Sequence, residues 1–102
     1  MNRFFDVKHP GERVTLAFDF ASQLPEGVTV ASVDSVTVST WRGTDATPSA
    51  MLAGAPGLSG SDALQMVEGG LVGVDYLFLA SVTLSDTQLR ILSAVLPVRA
   101  TV

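Results

Sequence analysis

Cysteine is absent from the 102 residues, which removes disulfides, thiolate nucleophiles and every thiolate metal site at once. Histidine occurs once, as His9. Nucleophilic catalysis would have that single imidazole to draw on, and no G-x-S-x-G elbow is present to hold a serine. Lysine also occurs once, as Lys8, the arginines are dispersed, and the net charge is -4. Such a balance argues against a nucleic-acid footprint, which needs clustered cations to neutralise phosphates. No apolar run is long enough to span a bilayer, because Ser81, Thr83 and Ser85 break the longest one. Asp6 and Lys8 stand where the apolar core of an export signal would lie. No membrane association is therefore expected, and synthesis is expected in the cytoplasm. The glycines at 54, 57 and 60 match neither a dinucleotide fingerprint nor a phosphate loop. No cofactor and no metal site is expected.

Charged residues make up only 16% of the chain and hydrophobic ones 47%, so a chain of this size can build one core and still have apolar surface to hide. The stretch from Gly69 to Val98 carries the clearest pattern. Val72, Val74, Tyr76, Phe78, Ala80, Val82 and Leu84 recur at every second residue, the period of a strand. Leu77 and Leu79 lie on its other face, which implies partial cover on both sides. After Ser85-Asp86-Thr87-Gln88 a second apolar run from Leu89 to Val98 returns, which reads as a long hairpin. Upstream, Glu12 to Phe20 alternates cleanly, with Val14, Leu16, Phe18 and Phe20 on the core side. The Val/Thr/Ser-rich segment after Gly27 reads as two strands, near 28–33 and 36–41, with a break or bulge at Asp34-Ser35. Residues 61–68 fit either a short capped helix or a strand, and the β pattern around them favours a strand. About seven short strands with turn signals between them predict an all-β, immunoglobulin-like antiparallel β-sandwich. Residues 12–102 form that domain, preceded by an N-terminal arm at 1–11.

Ten carboxylates are present, most at turns or on wet strand faces. Asp19 and Asp75 stand out because each lies inside a hydrophobic strand. Two close carboxylates in a cleft would suit a small hydrolase, but no cleft is evident in a domain of this kind, and no enzyme is expected. Candidate interface residues come from three places. Phe4, Phe5 and His9 lie in the arm, where the two phenylalanines either close one end of the core or dock on a neighbour. Trp41 and Arg42 end a strand, and the tryptophan is either core edge or contact surface. Met51 and Leu58 are apolar points in the Gly/Ala/Pro/Ser-rich connection 43–60. A free sheet edge is a fourth means of contact.

The order of features resembles a group of small tailed-phage virion proteins described as fibre–tail adaptors or head–tail accessory proteins. The resemblance rests on Phe5…Lys8-His9-Pro10-Gly11-Glu12, on Leu16-Ala17-Phe18-Asp19-Phe20, and on Gly27-Val28-Thr29-Val30-Ala31-Ser32. It is strongest at Gly69-Gly70…Gly73-Val74-Asp75-Tyr76-Leu77-Phe78 through Val82-Thr83-Leu84-Ser85-Asp86, with Arg90 and Leu96-Pro97-Val98 closing it. Thr87-Gln88-Leu89 replaces the hairpin glycine usual in that group, and its usual tryptophan after the third motif is missing. The resemblance implies a non-enzymatic bacteriophage structural protein in the virion, at the tail, its fibres or the head–tail connection. Its partners would be other virion proteins, with several copies of the chain forming a homo-oligomer. The alternative is an Ig-like carbohydrate- or cell-surface-binding module that uses Trp41 or Tyr76 as a stacking platform. An arm that only docks on a neighbour should be removable without loss of the fold.

Overall fold

The computed structural model describes residues 3–101. The chain runs through seven strands: β1 (Arg3–Phe4), β2 (Val14–Asp19), β3 (Val30–Arg42), β4 (Gly57–Ser59), β5 (Asp62–Val67), β6 (Asp75–Leu84) and β7 (Leu89–Pro97). Six of these have three residues or more, and β1 has two. Short 3-10 turns at Ala21–Gln23 and Pro48–Met51 are the remaining regular elements among the described residues. None of these is a helix long and apolar enough to cross a membrane.

Two sheets face each other. One has the order β1-β7-β6-β3 and the other β2-β5-β4. With β3, β6 and β7 in the places of strands C, F and G, and β2, β5 and β4 in those of B, E and D, this is the immunoglobulin-like sandwich the strand count predicts. All pairings of β2 to β7 are antiparallel, while β1 adds to β7 in parallel. The hairpin of β6 and β7 is central, as its alternation implied. Tyr76, Phe78, Ala80, Val82 and Leu84 face inward from β6, and Leu92, Ala94 and Leu96 from β7. Leu16, Phe18 and Phe20 meet them from the β2 side.

One sequence expectation changes, and one open alternative is resolved. The segments near 28–33 and 36–41 are one strand, β3, because register shifts at 30/32, 33/35 and 40/42 absorb the displaced alternation without ending the pairing. The stretch 61–68, which fitted either helix or strand, holds strand β5, whose inward face is Ala63, Gln65 and Val67. Gln65 is tolerated inside because its Nε2 donates to the carbonyls of Gly54 and Met66 (3.1 and 2.8 Å). It thereby pins the 53–56 connection to β5.

Tyr76 locks one end of the sandwich. The Leu71 N–H donates to its hydroxyl oxygen and the hydroxyl donates to Asp45 Oδ2, each at 2.8 Å. A tyrosine near the start of strand F that bonds back to the upstream backbone is the tyrosine corner of this fold. Just before it, Gly70 has φ +95°, and a Cβ there would meet Val98 Cγ2 at 3.0 Å and Met51 Cε at 3.1 Å. The chain can pass that closely over the core only as glycine.

Candidate protein interface

The segment expected as an arm lies along β7 over residues 3–8. Arg3 and Phe4 pair with Ala94 and Val95, the Phe5 N–H donates to the Val95 carbonyl, and the Lys8 N–H donates to the Pro97 carbonyl. Residues 1 and 2 lie outside the described residues. Phe5 packs inward, its ring edge-on to Phe18 with centroids 5.3 Å apart. Lys8 is 2% exposed, and its ammonium donates to the carbonyls of His9 (2.9 Å) and Gly69 (2.7 Å). Burial pushes its pKa below the usual 10.5, and Glu12 and Glu68 partly counter that shift. The one lysine is therefore a tie between the N-terminal segment and the β5–β6 corner.

The seven candidates separate. Met51 is 2% exposed and belongs to the core, because the 3-10 turn at Pro48–Met51 rolls its side chain under Gly70. Phe5 is held inside, as above. His9 is exposed in a tight turn, where its Nδ1 accepts the Gly11 N–H and its own N–H donates to Glu12. Leu58 is exposed on β4, in the other sheet. Tyr76, one of the two stacking platforms considered, is completely buried. Asp75 is buried in an ion pair with Arg99 (2.7 Å), and Asp19 accepts the Ala21 N–H. Both of the carboxylates singled out in the sequence thus have structural partners.

Phe4, Trp41 and Arg42 come together. The rings of Phe4 and Trp41 meet edge to face at 5.5 Å, and the Arg42 guanidinium lies 4.6 Å from the tryptophan centroid. Phe4 and Trp41 start from opposite edges of the sheet, three strand spacings apart, or roughly 14 Å. Their rings must therefore lean over β7 and β6 to touch. They lie on the outer face, where the register sets Phe4 beside Val95, Val95 beside Leu77 and Leu77 beside Ser39. That roof explains why Val95, on the outward side of β7, has no exposed surface.

Beyond the roof the same face stays apolar and open. Leu79, Ile91 and Leu89 are 38%, 61% and 67% exposed, and Ser81 and Ser93 stand among them in the ladder. Isolated exposed leucines are unremarkable, whereas these three share one face of one sheet. Sequence reasoning missed Leu79, Leu89 and Ile91 as surface residues. Their run is apolar on both sides of the strand and carries no sign of which side is covered.

The family model described as "Podophage GP4 fiber-tail adaptor protein gp77" matches residues 8–97. No curated protein and no solved structure matches the chain. The chain belongs to this phage fibre–tail adaptor family.

Proposed function

We propose that the chain is a non-enzymatic virion component that joins tail and fibre proteins through the outer face of the β1-β7-β6-β3 sheet. The observation that carries this reading is the open stripe of Leu79, Leu89 and Ile91 next to the Phe4–Trp41–Arg42 cluster. Aromatic and arginine anchors suit the centre of a contact, where they lose their water on docking, and Phe4 at 61% exposure is open to a partner. The aromatic pair is fixed by its own contact, so little side-chain freedom is lost on docking.

Ile91→Asp places a charge in the middle of this face at a position 61% exposed. The melting curve should stay close to that of the unchanged protein. Incorporation into particles, measured by blotting purified virions from a complementation assay, should fall sharply. Unchanged incorporation of a folded Ile91→Asp protein would remove this face from the adaptor role.

A further inference from the structure

The edge of the four-stranded sheet opposite β1 is β3, which at 13 residues is the longest strand. It pairs only with β6, and among the described residues no backbone hydrogen bond joins residues 35–40 to any other segment. Natural edges are blunted by lysine, proline, inward charges or bulges. The bulges of β3 lie at 30/32, 33/35 and 40/42, and none falls between 35 and 40. That run, Ser35-Val36-Thr37-Val38-Ser39-Thr40, has no charge and no proline. It is bracketed by Asp34 and Arg42, both exposed. Asp34 accepts hydrogen bonds from the Ser32 and Thr83 hydroxyls (3.1 and 2.6 Å), and Arg42 lies over the Trp41 ring. Neither is in an ion pair with another residue of its own chain among those described.

The bracketing charges select the partner. In an antiparallel pair, a strand with its negative charge first and its positive charge last is complementary to itself. Pairing about a two-fold axis at Val38 sets Asp34 opposite Arg42 of the other copy, twice. It also sets Thr37 opposite Ser39, twice, a hydroxyl pairing favoured across strands. We infer that β3 pairs with β3 of a second copy in this register, joining two sandwiches into one continuous sheet. The contact is isologous, with the same residues on both sides. It engages Arg42 at the border of the outer face but not the stripe of Leu79, Leu89 and Ile91, so a dimer unaffected by Ile91→Asp separates it from the adaptor reading.

The full chain, followed by analytical ultracentrifugation across the micromolar range, should approach twice the mass of one chain. Asp34→Arg sets like charges opposite each other at both ends and should raise the dimer dissociation constant by about tenfold. Asp34→Arg combined with Arg42→Asp should restore it. Because the chain has no cysteine, register can be read directly. A mixture of Thr37→Cys and Ser39→Cys chains should form a disulfide-linked dimer on oxidation, while either variant alone should not. A protein that stays monomeric throughout would overturn the inference. So would a dimer indifferent to Asp34→Arg, or single-cysteine chains that cross-link as well alone as mixed.

Discussion

Thr87 has φ 70°, a left-handed conformation that a β-branched residue pays for in steric strain. It does so because the turn demands it. The Thr87 N–H donates to the Leu84 carbonyl and the Leu84 N–H to the Gln88 carbonyl, which closes a three-residue hairpin loop whose last position is left-handed. Glycine is the usual occupant, and Thr87→Gly should raise stability by roughly 0.5–1 kcal/mol, seen as a higher urea midpoint. Asp45 makes a second prediction at this scale. The Thr47 amide and then the Tyr76 hydroxyl hold its carboxyl below the usual 3.8. A lowered folded pKa contributes stability above 3.8 that is lost as pH falls through the folded value. Asp45→Asn should therefore be less stable than the unchanged protein at neutral pH and lose less on acidification. Urea midpoints measured at a series of pH values would check both.

Among the elements, the N-terminal segment carries the firmest expectation. Removing residues 1–10 takes away β1, the Phe5–Phe18 contact and the Lys8 tie to Gly69. Chemical unfolding should show a loss of about 3 kcal/mol or more, the scale for a deleted core phenylalanine. The packing of Phe5 into the core was one of the two readings its sequence allowed, but the pairing of β1 and the Lys8 tie were not legible, because a two-residue strand has no period and a buried lysine reads as solvated. The strands at 14–19 and 75–84 were legible from their alternation and 89–97 from its return after a short polar break, while 62–67 fitted a helix as well as a strand. Bulges hid the unity of β3, for a shifted alternation looks like two strands in one dimension. Residue types flagged Phe4, Trp41 and Arg42 singly. Their assembly depends on sheet order and cross-strand register, which pair residues far apart in the chain.

In the whole molecule the two outer faces differ. The β2-β5-β4 face presents Thr15, Ala17 and Arg13 beside a single large exposed apolar residue of β5, Met66 at 42%. Met66→Asp should therefore leave incorporation into particles close to normal where Ile91→Asp should lower it sharply, in the same virion assay. The direction of the β1–β7 pairing has a mechanical consequence. Because the two strands run parallel, a pull that separates residue 3 from residue 99 loads the Phe5–Val95, Lys8–Pro97 and Arg99–Lys8 hydrogen bonds sideways. They must yield together instead of peeling one after another, so the sandwich is braced against tension along its length.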